Sequence, residues 1–179
     1  MKAALVVGHK ERSPGAWNSN FSVTEFRYNF NFVDNLIEYY EGDVELIKVL
    51  RKSYKNLPFE INALDPDFII SFHCNAFNKK VSGTETLYYY HSLKGMEIAK
   101  IIQNKMVHAL KLHDRGIKPK TVEDRGGYLL KYTKAPCIIV EPFFIDNDED
   151  LLTAFDRRVN LLNAFCSGID SIAEYLSYN

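Results

Sequence analysis

The sequence predicts an α/β fold: a mostly parallel, twisted sheet of about six strands with helices on both faces, in a single domain spanning residues 1–179. Three observations lead there. Lys2 to Gly8, Phe68 to His73 and Cys137 to Glu141 are nearly continuous apolar runs, the pattern of strands covered on both faces. Between them lie long segments whose apolar residues recur every three or four positions, the pattern of helices laid on a sheet. A chain of 179 residues, 46% of them apolar, holds one sizeable core, whereas two would be cramped.

Taken in order, Lys2 to Gly8 reads as a buried first strand. Val23 to Glu41 reads as a helix whose stripe is Val23, Phe26, Phe30, Val33, Ile37 and Tyr40, with Gly42 as its stop. Val44 to Leu50 is a strand, and Leu57 to Leu64 a short helix ended by Asp65-Pro66. Phe68 to His73 is the third strand, and Gly83 to His91, with its three tyrosines, the fourth. Met96 to Leu112 is a second long helix with the stripe Ala99, Ile102, Met106 and Ala109. Tyr128 to Tyr132 reads as a weaker strand, and Cys137 to Glu141, opened by Pro136, as the last. Asp146 to Leu176 holds the final helix, with a stripe running from Leu152, Phe155 and Val159 to Leu162, Cys166, Ile169, Ala173 and Leu176.

Composition excludes several functions. A net charge of −1 steers the chain neither to nucleic acid nor to an acidic membrane surface. No segment approaches the roughly 20 apolar residues of a membrane span. The five-residue apolar run of MKAALVVGHK is too short for a secretory signal, which needs roughly 7–15. No repeat, low-complexity tract or linker divides the chain. Cys74, Cys137 and Cys166 are odd in number and form no CxxC pair, so they read as reduced, buried thiols.

The chemistry lies at the strand ends. In α/β sheets, ligands collect beyond the carboxyl ends of the strands. Here the first strand ends in Gly8-His9, the third in His73 and the last in Glu141, and Glu25 falls in the first turn of the first long helix, beside its buried face. Each has an ordinary alternative. His9 and His73 suit structural hydrogen bonds, Glu25 suits a helix amino terminus, and Glu141 suits half of an ion pair. Convergence favours a site, because a glutamate ending the apolar run CIIVE needs a partner. Two imidazoles and a carboxylate form a set used for catalytic zinc, and a further carboxylate can take a proton from water. His91 ends the tyrosine strand with a surface position equally in view; His108 and His113 belong to the second helix, exposed or capping. Cys74 follows His73 and so points to the other face. Ser13 and Ser71 lack a GxSxG setting.

Ordered motifs over nearly the whole chain resemble the zinc-dependent N-acetylmuramoyl-L-alanine amidases of the type 3 family, found as bacterial wall enzymes and phage endolysins. They are LVVGH, PGAW, TEF, VLR, FIISFHCNA, GTETLYYY and APCIIVEPFFIDN. The resemblance implies His9, Glu25 and His73 as ligands of one zinc ion and Glu141 as the catalytic acid/base. It implies hydrolysis of the amide between N-acetylmuramic acid and L-alanine in peptidoglycan. Two departures border the site: Lys10 stands where the family has the second Gly of Gly-His-Gly, and Pro142-Phe143-Phe144 replaces the usual residues after the glutamate. They bear on substrate preference more than on metal binding.

The expectation is a monomeric wall hydrolase with no separate wall-binding domain, made without a signal peptide and reaching the wall by release or export. Its rivals are a zinc carboxypeptidase-like enzyme on the stem peptide, with Arg125 or Lys118 holding a terminal carboxylate, and an inactive wall-binding module. Substrate choice is assigned to loops 10–22, 74–83 and 115–127, which are polar with few large apolar groups.

Overall fold

The computed structural model of the chain describes residues 1–178. Its centre is a six-stranded sheet. In chain order the elements are β1 (Lys2–Val7), β2 (Trp17–Asn18), β3 (Val23–Thr24), α1 (Glu25–Tyr39), β4 (Glu45–Leu50), α2 (Leu57–Leu64) and β5 (Phe68–Phe72). There follow β6 (Thr84–Tyr89), α3 (Leu93–Leu110), β7 (Asp114–Lys120), α4 (Gly127–Tyr132), β8 (Cys137–Glu141), α5 (Asp148–Asp156) and α6 (Arg158–Tyr178). The sheet order is β4-β1-β5-β8-β6-β7. The first four strands are mutually parallel; β6 runs antiparallel to β8 and carries β7 parallel to itself.

The period of two in each central strand divides the core between the faces. Leu5, Val7, Ile70, Phe72, Ile138 and Val140 pack under α1, α3 and α6. Val6, Ile69, Leu87 and Ile139 pack under α2 and α4. On the first face, Phe32 of α1, Phe72 of β5 and Phe165 of α6 meet with ring centroids 5.0–5.9 Å apart. Truncating one such ring costs about 3–5 kcal/mol. The layout expected from the sequence is therefore present, and no helix among the described residues is long and apolar enough to cross a membrane.

Four local expectations are corrected. Tyr128 to Tyr132 is helical, not a strand. Gly126 opens α4 in the left-handed region at φ 85°, Leu129 and Leu130 are buried against the sheet, and Tyr128 lies between Tyr54 and Tyr132. Tertiary packing overrides the β preference of tyrosine. The sixth strand is instead β7, which the sequence reading left inside the loop 115–127. Its segment DRGIKPK has little apolar content because it is an edge strand, where Pro119 is tolerated. The final helix breaks at Arg157 (φ −103°, ψ 20°), and the turn in direction leaves Leu152, Phe155 and Val159 exposed. In α1 the buried face is Glu25, Tyr28, Asn29, Phe32, Val33 and Leu36, rotated by about one position from the expected stripe. Phe26, Phe30 and Ile37 lie at its margin.

Candidate metal centre

Four pieces of chain converge at the carboxyl ends of β1, β5 and β8. Gly8 N–H donates to Phe72 O (2.9 Å), which extends the β1–β5 pairing by one residue. His9 then turns out of the sheet at φ 65°. Its ring meets that of His73 edge-on, with centroids 5.1 Å apart. This approach needs Gly8, because a Cβ there would stand 2.7 Å from His73 Cε1.

Glu25 arrives from the other face. Thr24 caps α1 by accepting Arg27 N–H (3.3 Å), and the β2–β3 ribbon delivers the helix start. Asn18 of that ribbon donates to Ile145 O (3.1 Å), which ties it to the segment after β8. Glu25 has no exposed surface. Its Oε1 accepts Cys74 N–H (3.1 Å) and lies 2.9 Å from His73 Nδ1; its Oε2 accepts Ala16 N–H (3.1 Å) and lies 3.1 Å from His9 Nε2. The last contact is close but not aligned as a hydrogen bond, so His9 Nε2 is a buried nitrogen without a partner. One ligand atom from each of His9, Glu25 and His73 lies within 4.8 Å of the others.

These observations fit a cation. A buried ring nitrogen left without a partner, beside a buried carboxylate, is an arrangement that a metal ion satisfies. Burial lowers the pKa of His73 in spite of Glu25 alongside, which favours the neutral, ligating imidazole. Burial alone would raise the pKa of Glu25, but the His73 contact and the adjacent His9 ring outweigh it and hold the carboxyl well below its usual range. Cys74 is not part of the group. Its Sγ faces Asn29 Oδ1 (3.8 Å) on the α1 side, as the alternation of β5 requires.

Glu141 lies on the same face as His73, in a shared cavity of about 530 Å³. It is 9% exposed, and its Oε2 has no hydrogen-bond partner. Burial, reinforced by the charges of Glu25 and Glu85, pushes its pKa well up, against the pull of Arg125. Opposite it across the β6–β8 pairing stands Glu85, held by Asn75 Nδ2 (2.7 Å) and Arg115 Nε (2.8 Å).

The remaining candidates scatter. His91 is exposed on the turn after β6, its ring tilted against Tyr90 with centroids 3.7 Å apart; His108 is exposed on α3, and His113 lies beyond that helix rather than on it. Arg125 lines the cavity, whereas Lys118 does not and Lys120 does. Lys10 is exposed, and Phe143 and Phe144 are buried in the core, so neither departure from the family pattern lines the cavity. Of the three loops, 115–127 brings mostly polar residues to the cavity (Lys120, Glu123, Asp124, Arg125), 74–83 brings Asn75 and 10–22 none, while the floor and sides are apolar, including Leu57, Leu87, Leu129 and Ile139. Asn75, Glu85, Arg51 and Ser71 were missed as site residues. The signal available for Glu85 was a charged residue at an inward position in the β run GTETLYYY.

Comparison with known proteins shows what the chain as a whole is similar to. A family model described as N-acetylmuramoyl-L-alanine amidase matches residues 4–171. N-acetylmuramoyl-L-alanine amidase LytC of Bacillus subtilis is 26% identical over 149 residues, 80% of this chain and 29% of that protein. An uncharacterized cell wall amidase of Bacillus anthracis is 29% identical over 123 residues, 63% of this chain and 22% of that protein. An uncharacterized Bacillus subtilis protein is 31% identical over 114 residues and is matched over 53% of its length, so the chain spans about half of this relative and under a third of the other two. Among solved structures, an N-acetylmuramoyl-L-alanine amidase from Clostridium difficile superposes with a TM-score of 0.85 at 20% identity, over 97% of this chain and 96% of that one. The catalytic domain of the CD27L endolysin gives 0.79 at 24% identity, over 96% and 97%. These two likenesses establish a shared fold.

Proposed function

The chain belongs to the N-acetylmuramoyl-L-alanine amidase family, and from that premise we propose that it hydrolyses the amide joining the lactyl group of N-acetylmuramic acid to L-alanine in peptidoglycan. His9, Glu25 and His73 hold one zinc ion, and Glu141 is the acid/base. The observation that carries this reading is the convergence of three ligand atoms within 4.8 Å at the cavity that also holds the unpartnered Glu141.

When bound, zinc supplies a Lewis acid that polarises a carbonyl and makes water a nucleophile near neutral pH. The protein supplies the rest. Burial pushes the Glu141 pKa up, and nearby positive charge favours its ionised form, so a cation in the ligand group favours Glu141 as a base. Its free Oε2 takes the proton of the attacking water as the C–O bond forms. It returns that proton to the nitrogen as the C–N bond breaks, so L-alanine leaves as a free amine. Glu85 stays bound to Arg115 and Asn75, which keeps a second carboxylate out of this exchange.

The test is a digest of purified peptidoglycan by the zinc-loaded chain. Stem peptides with new L-alanine amino termini, and glycan strands without new reducing ends, are the expected products. New reducing ends would mean a glycosidase. Arg51 and Arg125 on the cavity favour a second reading, a zinc carboxypeptidase-like action on the stem peptide, which would release single carboxyl-terminal amino acids instead.

A further inference from the structure

The cavity beside the ligand group contains more than the proposed hydrolysis uses. Its floor is one row across four strands, in which Val6 pairs with Ser71, Ser71 with Ile139 and Ile139 with Leu87. Three of the four are aliphatic. The fourth, Ser71, is 1% exposed, and its Oγ has no hydrogen-bond partner. An orphaned hydroxyl on the floor of a cavity is unfavourable until a ligand group meets it.

The cavity is lined by three cations, Arg51, Lys120 and Arg125, and by four carboxylates, Glu85, Glu123, Asp124 and Glu141, yet among the described residues none of these cations is paired with an acid. Arg51, directly after β4, is half-buried, and Arg125 precedes α4. Glu85 is held by Arg115, and Asp124 accepts both the N–H (2.7 Å) and the hydroxyl (2.9 Å) of Thr121; Glu123 is exposed.

Resting on the amidase reading, we propose that this cavity receives the peptide half of the substrate, and that Arg51 and Arg125 select a free carboxylate on the residue next to L-alanine. An aliphatic floor with one hydroxyl suits a short alkyl side chain and a peptide group. Unpaired guanidiniums suit a carboxylate, which they bind with two parallel hydrogen bonds. An uncharged glycan would leave both guanidiniums unanswered.

The probes are the γ-methylamides of N-acetylmuramoyl-L-alanyl-D-glutamic acid and of its α-carboxamide, which differ by one charge and of which only the first has a carboxylate on the residue next to L-alanine. Their binding to the zinc-loaded Glu141→Gln variant, which holds them without rapid turnover, is measured by calorimetry. The acid binds about 10-fold or more tightly than the amide, the range of charge-assisted hydrogen bonds. Adding Arg51→Gln or Arg125→Gln brings this ratio toward one, and Arg51→Lys restores part of it. Zinc titration of the same variants checks that they fold. A ratio near one in the Glu141→Gln parent overturns the proposal without recourse to the arginine variants, as does a ratio that survives loss of both arginines. Discrimination in a chain that digests no peptidoglycan would keep the acidic-peptide site and remove the amidase reading. Digestion without discrimination would do the reverse.

Discussion

Gly15→Ala tests whether the ligand group is held by its backbone surroundings rather than by the three side chains alone. Gly15 sits at φ 79°, and a Cβ there would stand 2.7 Å from His9 Cδ2 and closer still to Glu25 Oε2. Two costs follow. A side chain in the left-handed region costs about 1–2 kcal/mol. For a chain of this size each kcal/mol lowers Tm by about 2–4 °C, so about 2–8 °C is expected for the metal-free protein. The second cost falls on the metal. Glu25 is clamped by Ala16 N–H, Cys74 N–H and His73, so it cannot yield without breaking a buried contact. Displaced ligand support typically lowers metal affinity by about 10–100-fold. Gly116→Ala is the control: its φ of 76° carries the same backbone cost, but a Cβ there meets nothing within 4 Å. Zinc affinity is read by competition with a chromogenic chelator, and Tm by circular dichroism in EDTA. Gly116→Ala should lose Tm by the backbone cost alone, Gly15→Ala by at least as much, and only Gly15→Ala should lose zinc affinity. Wild-type affinity in Gly15→Ala, or an equal loss in Gly116→Ala, would refute the reasoning.

Other outcomes follow from the same contacts. His9→Ala and His73→Ala each lose zinc, read by elemental analysis against about one ion per parent chain; full occupancy in either would remove that residue from the ligand set. Glu141→Gln keeps zinc and loses about 10²–10⁴-fold in rate on peptidoglycan, and loss of zinc would make Glu141 a ligand instead. The metal-free protein should also register Glu141 through pH. Its folded pKa lies above the ordinary 4.5, so its contribution to stability is intact below that value and is lost as pH rises through the raised one. Metal-free Glu141→Gln therefore loses less stability than the parent as pH rises above the ordinary carboxylate value in denaturant titrations, and parallel curves would contradict the assignment. Burial pushes the Cys137 thiol up to about 12 and raises that of Cys74, so iodoacetamide at neutral pH should label neither in the native chain and all three cysteines after unfolding; native labelling of Cys74 would place it in an open site.

How much of this was legible in the sequence depends on how strongly each segment signals by itself. The strands that carry the site, β1, β5 and β8, are buried on both faces, so their uninterrupted apolar runs mark both their extent and the polar residue that ends each one. The edge strand β7 is different. It is partly exposed, includes Pro119 and is held by pairing with β6, a long-range interaction with no local signature. α4 fails for a related reason: six residues give too few turns for a periodicity, and its helical state depends on Gly126 and on burial of Leu129 and Leu130.

The site shows the same division, on a finer scale. His9, His73 and Glu141 were visible because strand ends locate them to the residue. Glu25 was placed beside the buried face because Phe26 and Phe30 look like the better core residues. The true face begins at Glu25 itself, and a rotation of about one position separates the two readings. That rotation is where the function resides. Turning α1 to bury Phe26 would have put an aromatic ring inward in place of Glu25. The observed turn instead puts a carboxylate with no exposed surface between two imidazoles, and leaves Phe26 and Phe30 only partly covered. Burying an ionised group without partners is strongly unfavourable. Here Ala16 and Cys74 N–H groups and the two histidines compensate it, and each of these depends on a backbone feature outside α1: the left-handed turn at Gly15, the bare Cα of Gly8, the register of β5 on β1. No residue near Glu25 in the sequence records that compensation. Hydrophobic periodicity therefore ranks Phe26 above Glu25 as an inward-facing residue, and only the assembled sheet end reverses the order.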